Sequence, residues 1–298
     1  MLLSATSRDK STEPPGALPP GSCTSQTGLH CEIYGSGDPI LFLHGLGAST
    51  YSWRYMIAPL SVEHQVILID FRGAGQSPKP HDKNYSILKQ CELVYDFIVE
   101  RDLQKLTLVG NSYGGAVSLL LAAKFSELAA KFSEEKQSRL SKLILIDSAG
   151  YPDHLPLFVK ILRTPILGWL VVHLVPPKLQ TRIVLGQSYY NPRKITKDQV
   201  AAYAKPLASR GGRHALLQIA RQAIPKNIDE LIAKYPTIRV PTLILWGETD
   251  RILPRLIGER LKAAIAESTL EVIPRAGHVP QEEQPDDVVR HLKAFLNS

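Results

Sequence analysis

The chain has 298 residues, 44% of them hydrophobic and 21% charged, and its 35 Lys and Arg against 28 Asp and Glu give a net charge of +7. Such a composition is that of an ordinary globular protein with material for a large core, which excludes a disordered or fibrous chain. No run of five Lys or Arg and no nucleic-acid motif occurs, so nucleic acid is not an expected partner. The mild excess of base is expected to be a scattered solvated surface, with weak attraction to an anionic membrane surface as the alternative.

Residues 1–27 are rich in Pro, Ser and Thr and poor in large apolar side chains, and read as a disordered leader. The segment after Met1 lacks the long apolar core of a secretory signal. No stretch of eighteen uninterrupted apolar residues occurs, so no membrane span is expected. The three cysteines, Cys23, Cys31 and Cys91, form no Cys-x-x-Cys pair. A sparse, odd set suggests a reducing compartment, and the cytoplasm is the expected location.

Strands are expected over Leu29 to Tyr34 and near 40–43, 65–70, 105–110, 143–147, 242–246 and 269–273, with helical segments between them. That alternation predicts an α/β protein with a mostly parallel sheet and helices on both faces. Several of these strands end in a loop carrying reactive groups. Pro39–Leu43 runs into His44-Gly45-Leu46-Gly47, a loop able to aim backbone N–H groups at an oxyanion. The strand ending at Asp70 is followed by Phe71-Arg72-Gly73-Ala74-Gly75-Gln76-Ser77. This is a structural turn rather than a dinucleotide loop, because Pro78 stands where a third glycine would be.

The strand Lys105–Val109 stops at Gly110-Asn111-Ser112-Tyr113-Gly114, and a helix beginning near Ala116 follows. A serine on such a strand-to-helix turn has its hydroxyl pushed clear of the sheet, and small neighbours let strand and helix approach. Serine is a weak nucleophile and needs a base, which needs an orienting acid. Trp246-Gly247-Glu248-Thr249-Asp250 and Arg275-Ala276-Gly277-His278 each follow a late strand and supply them. In a parallel sheet the C-terminal strand ends share one edge, where ligands bind. Asp147 ends another strand and is the rival for the acid. The helix after Ser112 also holds a repeat, 122–128 and 129–135, which keeps Phe125 and Phe132 nearly on one face.

Taken together, His44-Gly45, the Asp70–Ser77 turn, the serine elbow, Trp246–Asp250 and Gly277-His278 resemble the α/β-hydrolase superfamily, from about Leu29 to the C-terminus. The resemblance points to a serine-nucleophile, esterase- or lipase-like branch. It implies Ser112 as nucleophile, His278 as base, Asp250 as acid and the N–H groups of Leu46 and Tyr113 as oxyanion hole, with His44 structural. It also implies a core of 28–148 and 226–298 and a helical cap of 149–225, whose apolar side chains, Trp169 among them, would line a substrate pocket.

The expected activity is hydrolysis of carboxylic esters of apolar, small to medium substrates through an acyl-enzyme. No cofactor is needed, and no metal-ligand spacing occurs. A carbon–carbon bond hydrolase of ring-cleavage dienone acids is the alternative: Gly110-Asn111-Ser112 with Gly114-Gly115 looks like those enzymes, although the Asn they place in the segment matching Tyr51–Arg54 is absent. Haloalkane dehalogenases and epoxide hydrolases carry aspartate where this chain has Ser112. A ligand receptor on the same fold is a third reading, against which an intact triad argues. The oligomeric state is left open.

Overall fold

A computed structural model describes residues 21–131 and 139–298. An eight-stranded sheet runs through it in the order β1-β2-β4-β3-β5-β6-β7-β8. The strands are β1 Gly21–Thr24, β2 His30–Tyr34, β3 Pro39–Leu43, β4 Gln65–Ile69, β5 Leu106–Asn111, β6 Leu140–Ile146, β7 Thr242–Gly247 and β8 Ser268–Ile273. The pairs β1–β2 and β2–β4 are antiparallel, and every other pair is parallel.

Alternation along the strands explains the layering. Leu41, Leu43, Leu108, Leu143, Leu145, Ile244 and Trp246 enter one buried cluster. Their chain neighbours Ile40, Phe42, Val109, Ile144, Ile146, Leu243 and Leu245 enter another. Successive strand side chains point to opposite faces, so a continuous apolar run signals a strand covered on both sides. Helices α1 Arg54–Leu60 and α12 Pro285–Leu296 cover one face, while α2 Ile87–Glu100, α3 Tyr113–Lys131 and α10 Leu256–Ala264 cover the other.

Between β6 and β7 lie α4 Leu157–Arg163, α5 Pro165–Leu174, α6 Pro177–Ser188, α7 Lys197–Ala204, α8 Arg210–Gln222 and α9 Ile228–Ile232; the short α11 Pro280–Glu283 follows β8. Leu162, Val172, Leu217 and Ala220 tie α4, α5 and α8 together, and Ala215 and Ile219 of α8 reach the main core.

The N-terminal expectation needs correction. Residues 1–20 lie outside the described residues, but Gly21–Thr24, assigned to the leader from the sequence, is an edge strand on β2. Gly-Ser-Cys-Thr carries little strand signal of its own, and its hydrogen bonds come from a partner that local pattern cannot reveal. Cys23 stands directly opposite Cys31 in that pairing and is joined to it as a disulfide. The cysteine count did not foretell this bond, which lends no support to a reducing compartment. Phe125 is buried and packs on Tyr95, but Phe132 and the rest of the second repeat from there on lie outside the described residues.

Candidate active site

Ser112 follows β5 directly and has φ +54°, a left-handed conformation that only a constrained turn holds for a non-glycine residue. Its backbone is locked: Ser112 N donates to Ile146 O at 3.1 Å, and Ala149 N donates to Ser112 O at 3.0 Å. The flanking glycines are needed for close approach. A Cβ on Gly114 would run into the Leu43 carbonyl, and one on Gly110 into the Ser118 hydroxyl and the Gly114 carbonyl. Tyr113 opens α3, so its N–H is one of the unpaired donors at a helix start, where the dipole favours negative charge. Leu46, on the loop after β3, lines the space around Ser112, and neither its N–H nor that of Tyr113 donates to another group among the described residues. Both N–H groups that the sequence reading expected as oxyanion donors are thus without an acceptor among the described residues.

His44 sits at the base of that loop and is buried. Phe71 N donates to its Nε2 at 3.1 Å, and its Nδ1 is 2.8 Å from Gly45 O. An acceptor at Nε2 requires the proton on Nδ1, so the ring is neutral, and burial holds its pKa below the usual histidine value. His44 thus clasps the Leu46 loop to the Asp70 turn and is not among the cavity-lining residues.

His278 lies on the loop after β8 and is buried. Its Nδ1 is 2.7 Å from Asp250 Oδ2, while its own N–H donates to Ser188 O at 2.6 Å at the end of α6. Asn111 Nδ2 donates to His278 O at 3.2 Å and to Ile146 O at 3.0 Å, coupling the serine turn to the histidine loop. Asp250 Oδ1 accepts from Ile252 N at 2.7 Å and Leu253 N at 3.0 Å, which leaves Oδ2 aimed at the imidazole. Ser112 and His278 line the same cavity, and no hydrogen bond joins them. That bond is commonly long until substrate arrives.

Asp147 lies behind this pair. Its Oδ1 accepts from Gly247 N at 2.9 Å, its Oδ2 has no hydrogen-bond partner of good geometry, and it is fully buried. Burial first, and then the Asp250 charge, push its carboxyl well above the usual carboxylate range. Of the two acids, Asp250 is therefore the one that meets His278. Asp147, Asp250 and His278 offer ligand atoms within 4.8 Å of one another, the spacing of a metal site. Within this group the His278 Nδ1 to Asp250 Oδ2 contact is itself a hydrogen bond, so that nitrogen already has a partner.

Two connected spaces meet at Ser112. The larger, about 360 Å³, is lined by Gly45, Leu46, Leu162, Val171, Val184, Tyr203, His278 and other residues. The smaller, about 90 Å³, is lined by Ile87, Tyr113, Tyr151, Pro156, Val159, Leu253 and others. Leu46, Ser112 and Phe158 belong to both. No Lys or Arg lines either one among the described residues. Trp169, expected to line the pocket, does not. It is 49% exposed and stacks on His173. Helix α5 turns Gly168, Val171 and Val172 inward; the next residue after Gly168 is rotated by about 100° and leaves that face.

The sequence reading missed a clasp between the histidine loop and the inserted helices. Glu282 is 7% exposed. It accepts from Arg54 Nη2 at 2.7 Å, from the Tyr189 hydroxyl at 3.0 Å and from the Tyr203 hydroxyl. Glu283 accepts from Gly277 N at 2.7 Å and Tyr190 N at 3.0 Å. The available signal was weak: two acids four and five residues after a candidate catalytic histidine, beside prolines that stop any long solvated helix. Removing one partner of a buried pair strands the other charge, so Glu282→Ala should lower stability by about 3–5 kcal/mol. Urea denaturation would measure it, and a loss below about 1 kcal/mol would mean that Arg54 is satisfied by water instead.

Comparison with known proteins bears on the family and the fold. The sequence profile of the alpha/beta hydrolase family matches residues 40–291. A 2-hydroxy-6-oxo-6-(2'-aminophenyl)hexa-2,4-dienoic acid hydrolase of Metapseudomonas resinovorans is 30% identical over 276 residues, covering 88% of this chain and 85% of that protein. Lipase 3 of Moraxella sp. (strain TA144) is 28% identical over 270 residues, covering 87% and 78%. Among solved structures, a 2-hydroxy-6-oxo-6-phenylhexa-2,4-dienoate hydrolase from Rhodococcus sp. strain RHA1 superposes with a TM-score of 0.79 at 21% identity, over 95% of this chain and 100% of that one. At that identity the likeness speaks for the fold alone.

Proposed function

Because the chain belongs to the alpha/beta hydrolase family, we propose that it is a serine hydrolase that cleaves neutral, apolar carboxylic esters through an acyl-enzyme. His278 takes the Ser112 proton as the hydroxyl attacks the ester carbonyl. The Leu46 and Tyr113 N–H groups receive the developing oxyanion. Asp250 holds the imidazole with its proton on Nδ1, leaving Nε2 free to act as base, and stabilises the imidazolium. His278 then protonates the leaving alcohol and activates the water that releases the acid. Residues 149–225 act as the cap of this site, held down by the Glu282 and Glu283 clasp.

One observation carries the choice of an ester: two largely apolar spaces meet at Ser112, and no Lys or Arg lines either among the described residues. An ester divides at its carbonyl into an acyl and an alcohol part, which two lobes can hold separately. The dienoic acid cleaved by the Metapseudomonas relative carries a carboxylate. Burying that charge here without a counter-charge would be costly. The carbon–carbon hydrolase nonetheless stands as the second reading, on the 30% identity to that relative.

A series of 4-nitrophenyl esters beside one ring-cleavage dienone acid separates the two. Each buried methylene contributes about 0.8 kcal/mol, close to fourfold in kcat/KM when the gain is kept in the transition state. We expect kcat/KM to climb from acetyl to butyryl or hexanoyl and then to fall as the larger lobe fills. Dienone turnover a hundredfold above the best ester would decide for the second reading.

A further inference from the structure

The side of α4, α5 and α6 that faces away from the cavity is rich in exposed apolar side chains and is covered by nothing among the described residues. Leu157 is 67% exposed, Ile166 76%, Leu174 69% and Ile183 52%, with Trp169 and Leu179 at about half. Isolated exposed apolar residues are normal, but a contiguous group marks a contact surface. Helix α5 is apolar all round, the pattern of a helix covered on both sides. Its inner side is covered by α4 and α8, and its outer side is bare.

Charge identifies what would cover it. Residues 154–227 hold twelve Lys and Arg and a single acid, Asp198, a net +11 in a chain of net +7, so the remainder is net −4. Every Lys or Arg ion pair among the described residues lies outside this segment. Three of these cations stand beside the apolar residues. On α6 Lys178 and Arg182 are exposed one turn apart, next to Leu179 and Ile183, and on α4 Lys160 is exposed near Leu157. Two copies meeting through this face would oppose two uncompensated positive surfaces. An anionic bilayer supplies both an apolar interior and negative headgroups.

We propose that α4–α6 form a membrane-docking face that lies on anionic lipid. No single described helix is long and apolar enough to span, and the pair α4 and α5, which reaches that length and composition together, is bent by 106°, a shape that suits lying in the interface. The same helices form a wall of the larger cavity, and Ile183 is shared between cavity and outer face. Apolar substrate dissolved in the bilayer would therefore meet the cavity wall without crossing water.

The test is co-sedimentation of the full chain with vesicles of phosphatidylcholine alone and of phosphatidylcholine mixed equally with phosphatidylglycerol. Binding should be at least about tenfold stronger to the anionic vesicles and should weaken with salt. Two variants, Ile166→Ser with Leu174→Ser and Lys178→Glu with Arg182→Glu, should each lose about tenfold or more of this binding. None of these four side chains lines a cavity, so turnover of a water-soluble ester should be unchanged, which also reports a folded protein. Binding is read independently of hydrolysis, so a failure of the esterase reading would leave this result standing. Equal binding to both vesicle types, or anionic binding that survives both variants, would overturn the proposal. So would concentration-dependent self-association that the same substitutions abolish in a chain that ignores vesicles.

Discussion

Ser112→Ala is expected to lower kcat on the best ester by on the order of 10⁶, and His278→Ala by a similar factor. The double variant should lose little more than either alone. The reason is geometric. Ser112 is held at φ +54° by a β-strand, a helix and two backbone hydrogen bonds, and it lines one cavity with His278. Without the base the hydroxyl is not activated, and without the hydroxyl the base has no proton to take. Residual activity should come from the Leu46 and Tyr113 donors acting on bound substrate. Single-turnover measurements on Ser112→Ala, His278→Ala and the pair would check this. Losses that multiply would mean that the two residues act in separate steps and that the triad assignment is wrong.

Asp250→Asn should cost on the order of 10⁴ in kcat, because an amide facing Nδ1 favours the wrong tautomer and leaves the imidazolium without its counter-charge. Asp147→Asn should cost far less. Its Oδ1 function, accepting the Gly247 N–H, survives in the amide, and Asp147 makes no hydrogen bond to His278 that the change would remove. Stability should show the opposite sign with pH. The Asp147 carboxyl is raised in the folded state, so its contribution is complete below the unfolded value and is lost as pH rises toward the folded one. Asparagine does not titrate. The stability of Asp147→Asn relative to the parent should therefore increase with pH, by at most about 1.4 kcal/mol per unit. Denaturation of both proteins from pH 5 to 9 measures it. A parallel pair of stability curves would show that Asp147 is ionised in the fold, and a larger activity loss at Asp147 than at Asp250 would reverse the acid assignment.

Much of the candidate site was legible because its signals are local. Ser112, Asp250 and His278 each stand just beyond an apolar strand, and strand alternation, a glycine turn and a following helix are readable within a dozen residues. Leu46 and Tyr113 follow from the same turns. The sheet was legible for the same reason, since Ile40 and Leu41 or Ile144 and Leu145 declare by adjacency that both faces are covered.

What the sequence by itself determined is therefore the order of strands along the chain, the turns at their ends and the reactive side chains on those turns. Only the tertiary structure decided the contacts between segments far apart in sequence. Asp147 and Asp250 follow adjacent strands, and both side chains are buried; packing alone aims Asp250 at His278 and leaves Asp147 Oδ2 without a partner. Trp169 sits in a helix apolar on every side, so composition could not say which arc faces the cavity. Gly21–Thr24 became a strand because β2 offered an open edge and Cys31 stood opposite Cys23. Glu282 reads locally as a solvated acid, yet Arg54, Tyr189 and Tyr203 surround it from segments 79 to 228 residues away. Local pattern carries backbone conformation and periodicity, whereas desolvation and partner choice depend on which segments the fold brings together.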